Sequence, residues 1–379
     1  MANILDYIEW RGDLSMEVSP FNEVDNLILS EFSYLDMSDI VSSNVNQEPV
    51  PLHIAVTRFF EEKSQNKESL GLILPTAILD MAKLMAKSVR YKDILLWGYV
   101  NQVDRTTEYQ FSAICIDIDR KTTFVAYRGT DDSIIGWKED FNMAISTNVP
   151  SQIFATKYVE TISKINKNKL ILGGHSKGGN LAVYAAAHCN LKINKRIIKV
   201  YSNDGPGFCA GFLSSKEYAG IKDRVVSIVP KSSIIGMLLE HVEDHTVVAS
   251  SSRGVFQHDG FSWSVKGNEF IKVDGLDQES LLVNRTLTTW LSNMDDEQKK
   301  LFGDTLFDIL FSSDASTLEE LNRDRRKFFK ALSSVDPAKR KLINEKLGLL
   351  IKEGRITLGS VFESTVKDIK ENLFSKNKK

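Results

Sequence analysis

Across residues 1–90 apolar positions recur at helical spacing, with one stripe at 24–34 and a second at 77–85. Pro49-Val50-Pro51 reads as the loop between them. From Ile94 the rhythm changes: 95–103, 111–118 and 123–128 are rich in β-branched and aromatic residues. Asp104-Arg105-Thr106-Thr107 and Asp119-Arg120-Lys121 are turn-like, which predicts an antiparallel meander. Short apolar strands at 169–173, 197–202, 224–229 and 246–250 follow, with an Ala-rich helix at 180–188 and a further helix at 231–240. That alternation predicts a mostly parallel sheet covered on both faces. Beyond residue 280 the strands stop, and 295–311, 318–332, 337–352 and 361–374 all carry helical spacing. Asp336-Pro337 supplies a cap and first turn, and Gly354 a stop. The expected architecture is α/β: a domain over 1–285 with helices at its start, and a helical extension over 286–379 packed on it.

Composition adds little to this picture and excludes several classes. At 379 residues, 42% hydrophobic and 26% charged, the chain is an ordinary globular one. Cys115, Cys189 and Cys209 form no CxxC, so a disulfide framework is not expected and a reducing compartment is. The first residues lack a basic region followed by an apolar segment, and no apolar run approaches the roughly 20 residues of a membrane span. A cytoplasmic location is the expectation. Charge is unevenly spread: residues 321–379 hold 16 Lys/Arg against 7 Asp/Glu, a balance of +9, while the remainder carries −11. Packing of this tail on the acidic body is favoured over peripheral contact with an anionic membrane, because apolar positions recur on every tail helix. Nucleic acid fits poorly, since the tail has no interleaved aromatics beyond Phe328-Phe329. Without H-E-x-x-H or a phosphate-binding G-x-x-x-x-G-K, no metal and no cofactor are expected.

The sharpest chemical signal is Gly173-Gly174-His175-Ser176-Lys177-Gly178-Gly179. G-x-S-x-G between a strand and a helix is the setting of a nucleophile elbow, in which the serine sits on a strained turn above a helix N-terminus. Upstream, Tyr127-Arg128-Gly129-Thr130-Asp131 ends a strand and can offer Thr130 to an oxyanion; the N–H of Lys177 would be the second donor. The structural alternatives are Ser176 as a helix cap and Asp131 as a turn residue before Ile134; the strand, turn and helix in register favour the catalytic serine.

These two motifs together resemble the class 3 lipases of the α/β-hydrolase superfamily, and more closely a lipase-like bacterial branch of unknown function. Phe21-Asn22-Glu23-Val24-Asp25-Asn26-Leu27, Ser202-Asn203-Asp204-Gly205-Pro206-Gly207 and Gln257-His258-Asp259 are the further pieces that carry the resemblance. It covers nearly the whole chain. It implies an α/β-hydrolase fold and a serine hydrolase acting on carboxylic esters, either small-molecule or acyl-lipid.

A base and an acid should follow the serine in the chain. His258 matches the resemblance; His245 and His241 are the alternatives, while His53, His175 and His188 are poorly placed. Class 3 lipases carry the acid after the strand equivalent to 224–229, where this chain has Val229-Pro230-Lys231-Ser232-Ser233 and no carboxylate. Asp204, one strand earlier, is the substitute, with Asp244 next; Asp259 adjoins the histidine and reaches it poorly. Asp204 also reads as an Asx-turn residue. Ile134, Trp137, Phe208 and Met237 are candidates for an acyl groove, or equally for core. A vestigial site on a binding scaffold is the competing function, and the displaced acid is its support.

Overall fold

The computed structural model describes residues 1–63, 76–104, 109–131, 133–143, 146, 148–209, 211–239, 244–312 and 331–354. At its centre is an eight-stranded sheet whose spatial order follows the chain: β1 (Val50–Pro51), β2 (Leu95–Asp104), β3 (Tyr109–Asp119), β4 (Thr122–Tyr127), β5 (Lys169–His175), β6 (Ile197–Asn203), β7 (Val225–Pro230) and β8 (His245–Val248). Strands β1 to β4 pair antiparallel and β4 to β8 parallel. A small antiparallel ribbon, β9 (Val265–Lys266) with β10 (Glu269–Phe270), follows.

Alternation along the strands sorts side chains onto two cores. Phe124, Ala126, Ile171, Tyr201, Ile228 and Val248 face the N-terminal helices α1 (Ile4–Arg11), α2 (Glu23–Phe32), α3 (Leu52–Glu62) and α4 (Ala77–Lys87). Val125, Tyr127, Leu170, Leu172 and Val200 face α6 (Pro150–Ile165) and α7 (Lys177–His188). Both faces are covered, as parallel pairing requires. This is the α/β-hydrolase fold, with antiparallel strands leading into the parallel sheet.

The N-terminal layer is fixed by one polar node. Asn22 and Asp25 form a capping box at the start of α2. The same Asp25 accepts from Arg90 Nε at 2.7 Å and Tyr91 Oη at 2.5 Å. Arg90 Nη2 also donates to Asp25 Oδ2, and the other donors go to the carbonyls of Leu14, Ser19 and Pro20, so the buried ion pair leaves its guanidinium satisfied.

Several elements depart from the sequence expectation. Val50–Pro51 is a two-residue strand bonded to β2 rather than loop, and α6 joins the two strand blocks. Residues 231–239 form turns and not a helix, because Ser232, Ser233 and Gly236 spend their polar groups on Gln257 and Asp204. Helix α8 (Gln278–Ser292) is capped by Asp277. The tail helices expected at 318–332 and 361–374 lie outside the described residues except for the end of the first, where Leu332 is buried.

Helices α8, α9 (Asp296–Ser312) and α10 (Pro337–Gly354) share a third core around Trp290, Phe302, Ile309, Ile343 and Leu350. Helix α9 also packs on α5 (Ile134–Met143): Phe307 and Leu310 cover Ile134, and Lys138 pairs with Asp304 at 3.4 Å. Among the described residues no helix is long and apolar enough to cross a membrane.

Candidate active site

The carboxyl ends of four neighbouring strands are level. Tyr127 pairs with Gly174, His175 with Asn203, and Asn203 with Ile228. Thr130, Ser176, Asp204 and the loop after β7 therefore emerge side by side, since adjacent strands lie about 4.8 Å apart.

Between the end of β5 and the first residue of α7 stands Ser176 alone, at φ 55° and ψ −134°. This is a backbone region that a non-glycine residue occupies only when its surroundings impose it. The surroundings do: the Ser176 N–H donates to Asn203 O at 2.9 Å, and its carbonyl accepts from Gly179 N at 2.9 Å. A side chain at Gly174 would meet the backbone of Gly178 at 2.3 Å, so the strand and helix of the elbow cross too closely for one. At Gly129 a Cβ would meet His175 O at 2.6 Å and Ser176 Cβ at 3.1 Å, which brings the Gly129-Thr130 backbone against the serine. Ser176 is half-buried, and its hydroxyl makes no hydrogen bond to a described residue.

Asp204 is fully buried and adopts φ 47°, a left-handed conformation that Asp and Asn tolerate better than most residues. Its Oδ2 accepts from His258 Nδ1 at 2.6 Å; its Oδ1 accepts from the Ser233 hydroxyl at 2.5 Å and Gly236 N–H at 3.2 Å. The loop after β7, where the class 3 pattern carries the acid, here supplies donors to an acid one strand away. A carboxylate only accepts, so Nδ1 of His258 carries the proton and Nε2 is left as an acceptor.

The three-residue motif around His258 divides its work. Gln257 grips the loop after β7, accepting from Ser232 N at 3.0 Å and donating to Ser232 Oγ at 2.7 Å, and its carbonyl accepts from Trp263 Nε1 at 2.8 Å. Asp259 accepts from Phe261 N–H at 3.0 Å, turning the chain away. His175, just before the serine, donates from Nε2 to the carbonyl of His258 at 2.7 Å, its ring 4.6 Å from that of His258. Burial, and then the neighbouring His258, hold the His175 imidazole well below its ordinary value, so it stays neutral. Burial likewise drives Glu31, 3.5 Å from His175 Nδ1, well above the carboxylate range.

The Phe21-to-Leu27 motif braces this edge from below. Asn26 donates to Asn203 Oδ1 at 2.8 Å, and Asn203 donates to Gly174 O at 3.1 Å, linking the residues before Asp204 and Ser176. The motif's function is visible only here, since 177 residues separate Asn26 from Asn203.

On the β4 side of the serine, Thr130 Oγ1 donates to Asp140 Oδ2 at 2.5 Å. Burial pushes the Asp140 carboxyl up to about 6 against the opposing pull of Lys177, whose Nζ lies 3.9 Å away. Lys177 begins α7, and N–H groups of a first helical turn have no intrahelical acceptor. Its side chain is buried against Gln110 and Glu139. Neither Gln110 nor Glu139 stood out in the sequence, where an isolated Gln and an acid in a Lys-Glu-Asp run look like surface residues.

The other expected residues lie elsewhere. His245 begins β8, Asp244 is exposed, and His241 lies outside the described residues. His188 stacks on Tyr184 at the far end of α7. Of the groove candidates, Ile134 is covered by α9, Phe208 stacks on Phe212 and is buried, Met237 is buried, and Trp137 is half-buried. Among the described residues no group of His, Cys, Asp and Glu is arranged to hold a metal ion.

Over residues 85–308 the chain matches the family model described as Mbeg1-like. Among solved structures it is similar to that of M37 lipase, with 16% identity and a TM-score of 0.36 over 57% of this chain and 69% of that chain. No curated protein matches it.

Proposed function

This chain belongs to the Mbeg1-like family, a lipase-like one, and on that premise we propose that it is a serine hydrolase of carboxylic esters, with acyl lipids as the favoured substrate class. The observation that carries the reading is the Asp204–His258 hydrogen bond at the strand edge where the strained Ser176 is presented. His258 Nε2 removes the Ser176 proton as Oγ attacks the ester carbonyl. The negative oxygen that forms is held by the backbone N–H groups of Lys177 and Thr130, the Thr130 hydroxyl proton being given to Asp140. Collapse expels the alcohol, which takes the proton from His258, and leaves an acyl-Ser176. Water, deprotonated by His258, then releases the acid and restores the serine. The Ser176 hydroxyl, unbonded among the described residues, meets His258 Nε2 only as substrate enters.

Trp137 is the accessible apolar candidate beside the oxyanion loop. An acyl chain reaching Ile134 has to displace Phe307 and Leu310, so the helical extension limits the depth of any groove there. The buried thiols of Cys115 and Cys189, outside any disulfide, fit a reducing, cytoplasmic setting. Labelling with a fluorophosphonate probe tests the proposal. Covalent modification of Ser176, abolished in Ser176→Ala, is expected; a folded wild-type protein that does not label would favour the scaffold with a vestigial site.

A further inference from the structure

We propose that the side chains of Lys177 and Glu139 are a positioning pair for the oxyanion site, latching α5 to the nucleophile elbow; this rests on the hydrolase reading above. The residue after the nucleophile is needed for its backbone N–H alone, and that role places no demand on its side chain. Here the side chain is a lysine buried to 1% exposure. All its donors are engaged: Nζ reaches Gln110 Oε1 at 2.9 Å, Gln110 O at 3.2 Å and Glu139 Oε2 at 3.1 Å. Glu139 is fully buried and equally well satisfied, accepting also from Gln110 N–H at 3.2 Å and Ser151 N–H at 2.8 Å. One ion pair thus ties together β3, α5, α6 and α7.

Burying two charges costs several kcal/mol each before their attraction is counted, and an apolar pair of similar volume often serves stability as well or better. What an apolar pair does not fix is direction. Glu139 is followed by Asp140, which holds the Thr130 hydroxyl at 2.5 Å. Lys177 is the residue whose own N–H faces the developing charge. The Thr130 and Lys177 residues whose backbone N–H groups face the developing charge are therefore joined through short routes: the Thr130 hydroxyl to Asp140, along α5 to Glu139 and across the ion pair to Lys177, whose Nζ also lies 3.9 Å from Asp140 Oδ1. Any slippage of α5 against α7 separates the donors, and a misplacement of about 1 Å is enough for a loss near 10²-fold.

The test is the neutral double variant Lys177→Met/Glu139→Leu, since removing one partner strands a buried charge. Its melting temperature, its kcat and KM on p-nitrophenyl butyrate and its affinity for an alkylboronic acid, which mimics the tetrahedral adduct, are compared with wild type. The expected result is a folded protein with KM within about threefold of wild type and kcat lower by about 10- to 100-fold. Boronate affinity should fall by the same factor. Glu139→Asp, which keeps both charges and shortens the link by one methylene, is the second arm and should lower kcat with KM unchanged. A folded form of either variant with kcat within about twofold of wild type overturns the latch. A wild-type protein that neither hydrolyses the ester nor binds the boronate overturns the hydrolase reading instead, and the latch falls with it.

Discussion

Asp204→Asn isolates the proposed orienting acid with the least disturbance. Asparagine tolerates the left-handed backbone at this position and matches the carboxylate in volume, so the fold is expected to survive. The direction of the amide is set by its neighbours. Oδ1 already receives two donors, the Ser233 hydroxyl and the Gly236 N–H, so the amide oxygen remains on that side. The NH₂ group then faces His258 Nδ1, where the carboxylate oxygen stood at 2.6 Å. A donor at that point forces Nδ1 to accept and moves the imidazole proton to Nε2, the atom that takes the proton of Ser176 in the proposed mechanism. The histidine is present but holds the wrong tautomer. Such an inversion costs about 10⁴-fold in kcat, or roughly 5.4 kcal/mol of transition-state stabilisation. The assay is steady-state hydrolysis of p-nitrophenyl butyrate, with melting temperature as the control for folding. A folded Asp204→Asn retaining more than about a tenth of wild-type kcat/KM refutes the assignment. Loss on Asp244→Asn in its place would move the acid to that residue.

Ser176→Ala should abolish hydrolysis with the fold intact, and Ser176→Gly should do so while raising stability by about 1–3 kcal/mol, the strain a non-glycine residue carries at this φ and ψ; an unchanged or lower melting temperature for the glycine variant argues against stored strain. His175 is held below its ordinary value, so as pH falls below about 6.5 the unfolded chain binds a proton that the folded chain refuses, and this contribution to stability is lost at up to about 1.4 kcal/mol per pH unit. Glu31 and Asp140, both raised, act in the opposite sense. The informative quantity is therefore the difference between wild type and His175→Gln, which should shrink from pH 7.5 to 5.5 in denaturant melts; a constant difference refutes the linkage. Truncation before Asp295 uncovers Ile134 and Phe141 on α5 and should lower the melting temperature and increase binding of an apolar dye. Salt-sensitive sedimentation of the intact chain with anionic liposomes, lost on truncation without a fall in melting temperature, would instead give the basic tail to a membrane surface.

Local order dictates local structure, and the sequence by itself determined what depends on a few successive residues. The elbow is legible because strand, serine and helix are contiguous and glycines at fixed offsets are needed where Gly174 and Gly178 approach. Near-continuous apolar runs in β3 to β6 mark a sheet covered on both faces, because each strand must bury both of its sides. Beyond the antiparallel meander, strand order and level were not legible, and they bring the Asp204 carboxylate to a histidine 54 residues further on. His258, His245 and His241 differ little as neighbours in a sequence; only the folded loop, held by Gln257 against Ser232, brings His258 to Asp204. The same holds for charge. Lys177 and Glu139 look like surface residues in a linear reading, because 38 residues separate them. Tertiary packing decides their role, since a buried ion pair becomes affordable only where each partner meets the other and the remaining hydrogen bonds are filled.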